Sequence, residues 1–140
     1  VPRRTKNAPR RSHRQCPKPD SWNLPAGNCR FCGIRIVENG RQNKRKRWCS
    51  KQCIRTWKLM NRPALARKAA LIRDKLVCQA EGCSIQCNFI WEMQVDHIKP
   101  LFEANNDPSY WDLSNLQSLC LRCHAEKTRK DMERWRAIYG

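Results

Sequence analysis

Asp96 and His97 stand side by side in QVDHIKPL, residues 94–101. A carboxylate can take a hard divalent cation, and an imidazole with a pKa near ~6.5 can accept a proton from water at neutral pH. Adjacent strand residues point to opposite faces, so on a strand the pair would fill two roles rather than form one dyad, unless a distorted strand end lets them converge. Far downstream, His124 follows two cysteines in LCLRCH, with Asn115 between. Such a set suits phosphodiester hydrolysis. His97 would take a proton from water, while Asp96 and His124 would hold one divalent ion, Mg2+ or Mn2+, against the charge growing on the phosphate. Asn115, in a turn before a strand, can bridge loop backbone groups and tie the His97 segment in place. Singly, each residue has a plainer reading: a surface histidine, a turn asparagine, or His124 as a zinc ligand in place of Cys123. The joint spacing favours the catalytic one.

Ten cysteines could staple so short a chain, either as disulfides or as metal ligands. Their grouping favours zinc, because short-spaced pairs are each followed by a distant second pair. Cys29 and Cys32 with Cys49 and Cys53 make one four-sulfur set, and Cys78 and Cys83 with Cys120 and Cys123 make another. A closed site of four thiolates has no open position, so both zinc ions are expected to be structural. The second would clamp the Asp96–His97 segment against the segment bearing His124. Cys87 is an alternative to Cys83 within CQAEGCSIQC, and His13 and Cys16 are spare ligands upstream of the first set.

Lys and Arg total 29 against 12 acidic residues, a formal net charge of +17. Two four-thiolate zinc sites would lower this only to about +13. A polyanion is the natural partner, and DNA fits better than a membrane, since no long amphipathic apolar face accompanies the cations. Lys99, Lys127, Arg129 and Lys130 flank the candidate catalytic residues, and Lys44, Arg45, Lys46 and Arg47 form a second patch in NKRKR. Contacts of this kind give salt-sensitive affinity and little base specificity. No apolar run suits a signal peptide or a membrane span, which with zinc-type cysteines predicts an intracellular setting, either a bacterial or phage-infected cytoplasm or a nucleus.

The elements that must position these groups are small. Residues 1–28 hold seven Lys or Arg, five Pro and one acidic residue, and read as a flexible basic arm. Residues 29–60 read as a zinc module: a Cys-x-x-Cys knuckle ending at Gly33, a hairpin of IRIV and RKRW turned at Glu38, Asn39 and Gly40, and a helix capped by Ser50. That helix should end near Asn61, and Pro63 suits the first turn of a linking helix over 61–77, with a stripe of Leu65, Ala69 and Ile72. In residues 78–140, FIWEMQVDHI and NLQSLC read as strands. LRCHAEKTRKDMERWRAIY reads as a helix beginning near His124, whose far end is docked by Trp135, Ile138 and Tyr139.

DHIKPL, DLSNLQSLC and CLRCHAEKT together resemble the HNH nuclease motif, whose fold is the ββα-metal finger. The resemblance spans roughly residues 70 to 130, including both halves of the zinc clamp that many members carry. Its His, Asn and His fall on His97, Asn115 and His124, and Asp96 matches the acidic metal ligand common in the family. It implies products with 5′-phosphate and 3′-hydroxyl ends. A cysteine module, a helix and an HNH finger in that order are also similar, more loosely, to the nuclease end of eukaryotic zinc-finger annealing helicases.

The sequence therefore predicts an α+β protein of two zinc-stapled modules, the second an HNH finger over 78–140 that hydrolyses DNA. One finger cuts one strand, so a monomer should nick, and double-strand cleavage would require a dimer or larger assembly. The rival reading is a non-catalytic, zinc-stabilised DNA-binding or assembly module.

Overall fold

The computed structural model describes residues 15–140, so His13 and the first half of the basic arm lie outside the described residues. The described residues are α+β, with two separate two-stranded antiparallel sheets and three α-helices.

The second half of the expected arm is packed structure. Residues Asp20–Asn23 form a 3-10 turn, and Trp22 stacks on Trp57 at 5.6 Å between ring centroids and 14° between planes. Trp48 closes the cluster, 6.2 Å from Trp22 and 5.4 Å from Trp57. Arg30 fastens this turn by donating to the Trp22 carbonyl at 2.7 Å. The proline and cation content of the stretch suggested a free arm, but one tryptophan supplies enough apolar area to dock it.

Strands β1 (Val37–Glu38) and β2 (Arg41–Gln42) pair through an Asn39–Gly40 turn in which both residues have positive φ, 51° and 74°. That is the backbone a two-residue hairpin loop favours. The strands are shorter than expected, because RKRW continues past β2 as irregular chain toward Cys49. Helix α1 (Lys51–Asn61) begins where Ser50 accepts the Cys53 amide. Helix α2 (Pro63–Asp74) follows after one residue, with proline in its first turn.

The face α2 buries is offset from the expected stripe. Ala66 and Ala70 are the buried residues, whereas Leu65 and Ile72 are exposed at 40% and 67%. Small residues let α2 lie close against the second sheet, where Ala66 and Ala70 meet Leu116, with Val95 and Leu113 alongside. A clamp at its C-terminal end fixes the contact. Arg73 donates to Asp74 and to the carbonyls of Leu113 and Leu116 at 2.8 and 2.6 Å, while Asp74 accepts the Ser118 amide at 3.0 Å.

Strand β3 (Met93–His97) pairs antiparallel with β4 (Leu116–Cys120), and α3 (Leu121–Tyr139) follows at once. β3 is shorter than FIWEMQVDHI suggested, because Ile90–Glu92 form a 3-10 turn held by the Glu92 carboxylate, which accepts the amides of Asn88 and Phe89. α3 starts three residues before His124. Its far end docks through Trp135 and Tyr139, which pack on Phe102, but Ile138 points outward at 55% exposure. The main core gathers Cys78, Cys87, Met93, Leu119 and Cys120. Thus the ββα unit is β3, β4 and α3, with α2 on its flank.

Candidate active site and metal sites

Both four-sulfur sets come together. In each, Cys29, Cys32, Cys49 and Cys53, or Cys78, Cys83, Cys120 and Cys123, the sulfurs all lie within 4.8 Å of one another. Cys49 Sγ is 3.5 Å from both Cys32 Sγ and Cys53 Sγ. Four sulfurs about 2.3 Å from a zinc ion form a tetrahedron with edges of roughly 3.8 Å, so both sets can hold such an ion. The local fold explains the approach. Gly33 at φ 80° turns the first knuckle and donates its amide to Cys29 O at 2.9 Å, and Ser50 starts the helix that carries Cys53.

Their electrostatics also call for a cation. Burial opposes ionisation of Cys29, but the backbone amides of Cys32, Cys49 and Phe31 outweigh it and bring the thiol down to about 6. The amide of Cys123 brings Cys120 down to about 7. Burial and neighbouring sulfurs push Cys53 up to about 12, and the Cys120 sulfur first, then burial, does the same to Cys123. Sulfurs this close cannot all carry charge unless a dication joins them. Cys87 stays outside the second set, buried in the core with its thiol toward the Glu92 carbonyl at 3.9 Å. Cys16 is likewise buried outside the first set, directed at the Pro17 carbonyl.

Asp96 and His97 leave β3 on opposite faces. Val95 packs on the Ala66, Ala70 and Leu116 cluster, and His97, two residues on and in register with Leu116, shares that α2-facing side. Asp96 faces α3, where Lys127 Nζ lies 2.9 Å from Asp96 Oδ2 and also pairs with Asp131. The Lys127 contact is an ion pair without hydrogen-bond alignment, so Oδ2, though buried, has no hydrogen-bond partner. A buried carboxylate oxygen that meets only a positive charge fits a cation site. His124 lies three residues before Lys127 and seven before Asp131, on the same side of α3, which places it one turn from the Asp96 contact.

Burial holds the His97 imidazole below its ordinary pKa, and the charges of Lys127 and Arg67 reinforce this against the opposing charge of Asp96. The ring is therefore kept in the neutral form that can accept a proton. Asn115, 8% exposed, ends the 3-10 turn before β4. Its Oδ1 accepts the Lys99 amide at 2.9 Å, and its Nδ2 donates to the carbonyls of Lys99 at 3.0 Å and Tyr110 at 2.8 Å. Its own carbonyl accepts the Ile98 amide at 2.7 Å. The two residues after His97 are therefore pinned.

The expected DNA-facing cations are differently disposed. Lys44, Arg45, Lys46 and Arg47 are exposed beyond β2, with Lys46 paired to Glu38. Arg129 pairs with Glu133, Lys130 with Glu126, and Lys99 lies over the Tyr110 ring at 5.8 Å. Lys127 is the least available, committed to two carboxylates. The sequence reading missed Asp131 and the Arg73–Asp74 clamp. Only the i, i+4 spacing of Lys127 and Asp131 was a signal in the sequence.

No described helix is long and apolar enough to cross a membrane. No curated protein and no solved structure matches the chain. The family model of the HNH endonucleases matches residues 78–130, the span from the first cysteine of the second set through β3, β4 and the first half of α3. The ββα order and the four-sulfur clamp fall in that same span, so the C-terminal part of this chain carries an HNH domain.

Proposed function

We propose that the chain is a metal-dependent endonuclease that hydrolyses DNA phosphodiester bonds, nicking one strand per monomer. The observation that carries this reading is the strand end of Asp96 and His97, where a buried carboxylate oxygen that meets only the Lys127 ammonium adjoins an imidazole that burial holds below its ordinary pKa. His97 takes a proton from water onto its free ring nitrogen as the water oxygen attacks phosphorus. The bond from phosphorus to the 3′ oxygen breaks and that oxygen takes a proton from solvent water, leaving a 5′-phosphate and a 3′-hydroxyl. Asp96 and His124 would hold Mg2+ or Mn2+, which supplies positive charge to the phosphate and the leaving oxygen. Asn115 keeps the His97 strand end from shifting.

In this reading both four-cysteine sets hold structural zinc, one in the module over 29–60 and one clamping the finger over 78–140, with 61–77 as linker. The exposed cations give salt-dependent hold on DNA, and the setting is intracellular. A dimer or larger assembly would be needed to cut both strands.

The test is incubation of zinc-loaded protein with supercoiled plasmid in Mg2+, Mn2+ or EDTA, beside His97→Ala with matched zinc content and circular dichroism. Metal-dependent conversion to open circles by the wild type and its loss in the variant is the expected result. Equal plasmid binding without cutting by either protein would overturn it in favour of a DNA-binding module.

A further inference from the structure

The loop joining β3 to β4 leaves a recess of about 230 Å³ beside the strand end that carries His97, lined by Ile98, Lys99, Ser109, Tyr110, Ser114 and Asn115. Asn115 builds it, since its side-chain amide ties the main chain of Lys99 to that of Tyr110. Three donors in the lining are uncommitted. Among the described residues the Lys99 ammonium makes no ion pair, standing 5.8 Å from the centre of the Tyr110 ring, and the hydroxyls of Tyr110 and Ser114 make no hydrogen bond. No carboxylate lines the recess. Asp107 and Asp112, which border it in sequence, are occupied as turn caps. Asp107 accepts the Ser109 amide at 2.9 Å and bonds to the Ser109 hydroxyl, and Asp112 accepts the Ser114 amide at 2.9 Å.

Donors with no acid among them call for an anion that has several acceptor oxygens. A phosphodiester group is compact and singly charged, and its two nonbridging oxygens can accept from an ammonium and from hydroxyls together. Lys99 stands two residues past His97, at most about 7 Å of extended chain. An anion in the recess and one facing His97 therefore lie close together on one strand of nucleic acid. We propose that this recess is a phosphate subsite, in which Lys99, Tyr110 and Ser114 hold a backbone phosphate neighbouring the one that is cut. The subsite rests on the reading of the chain as a DNA nuclease, and it adds a second point of grip that fixes the line of the strand past His97. Asn115 then serves twice, bracing the His97 strand end and shaping the recess.

Each donor can be removed without touching a main-chain bond, because Asn115 holds the backbone of Lys99 and Tyr110 and Asp112 holds the amide of Ser114. The experiment measures binding of zinc-loaded protein to a short DNA duplex in EDTA across a salt series, and nicking of the same duplex in Mg2+. The proteins are wild type, Lys99→Met, Tyr110→Phe with Ser114→Ala, and all three changes combined. Lys99→Met should bind about tenfold more weakly and lose about 0.9 from the slope of log affinity against log salt. The hydroxyl variant should bind about three- to tenfold more weakly with the slope unchanged. Because the three groups hold one phosphate, the combined loss should fall short of the product of the separate losses. Wild-type binding by the hydroxyl variant, or fully multiplicative losses, would overturn the subsite and leave Lys99 a surface cation. An unchanged slope in Lys99→Met would overturn it outright. If the wild type binds but does not nick, the nuclease reading fails, and the binding series still decides the subsite by these same outcomes.

Discussion

The side-chain amide of Asn115 holds the main chain of Lys99 from both directions, accepting from its N–H at 2.9 Å and donating to its C=O at 3.0 Å. A third bond, to the Tyr110 carbonyl at 2.8 Å, ties in the loop before β4. Asn115→Asp keeps the acceptor but loses both donations and sets a carboxylate against two carbonyl oxygens. We expect a loss of about 2–3 kcal/mol in stability and a large loss of nicking, because the strand end carrying His97 is freed. Thermal unfolding and plasmid nicking at matched zinc content would check this, and near-wild-type values in both would remove the bracing role.

Asp74 makes a different kind of prediction, in which pH should have no effect over a stated range. Burial alone would raise its pKa, but the Arg73 guanidinium and the Ser118 amide outweigh this and hold the carboxyl below the usual range. A depressed carboxyl contributes stability that is fully present above the unfolded value, near ~3.9, and lost as pH falls through the folded value. Asp74→Asn should therefore lower stability by about 1–3 kcal/mol, by the same amount from pH 8 down to about pH 5.5. Melting temperatures of both proteins at several pH values would show it. A gap that narrows within that window would mean that the carboxyl titrates there.

Metal removal should unfold both modules. The main core is built largely from cysteines, with Met93 and Leu119 as its buried apolar residues, and α1 buries no residue fully. So little apolar burial leaves the ions to supply much of the folding free energy, on the order of 10 kcal/mol per site in small zinc domains. Release by a strong chelator should yield two zinc ions per chain, with loss of the near-ultraviolet signal of the Trp22, Trp48 and Trp57 cluster. One ion per chain, or an unchanged signal after release, would contradict this.

Much of the site was legible because its signals are local in the chain. Cysteine spacing, proline at a helix start, Ser50 as a cap and Asn39–Gly40 as a turn each act within a few residues, and the structure shows these sulfur groups, helix starts and turn. What was not legible depends on long-range packing. The seam of α2 is carried by alanines, which the leucines and isoleucine of the same helix outweigh in any apolar periodicity, so its buried face was misplaced by one residue. Trp22 escaped for a similar reason, since its partners Trp48 and Trp57 lie more than twenty residues away. The roles given to Asp96 and His97 rested on strand alternation, a local rule, and the two side chains do diverge.

Lys127 supplies the last prediction, because its ammonium stands at the oxygen proposed to hold a divalent ion. At 2.9 Å from Asp96 Oδ2 and paired also with Asp131, it competes with any second cation for the same carboxylate. Two positive charges several ångströms apart near a protein surface repel by a few kcal/mol before solvent and salt weaken the effect. Lys127→Met keeps the length and apolar stem of the side chain while removing that charge. It should tighten Mn2+ binding about five- to tenfold and lower the Mn2+ concentration needed for half-maximal nicking in step. Titration of Mn2+ by calorimetry reads the first effect without depending on turnover. If the variant instead binds Mn2+ as the wild type does but needs more DNA to reach half its maximal rate, Lys127 serves the phosphate backbone and not the metal site. If Mn2+ binding weakens, the ammonium orients Asp96 for the ion, and the competition inferred from their contact is wrong.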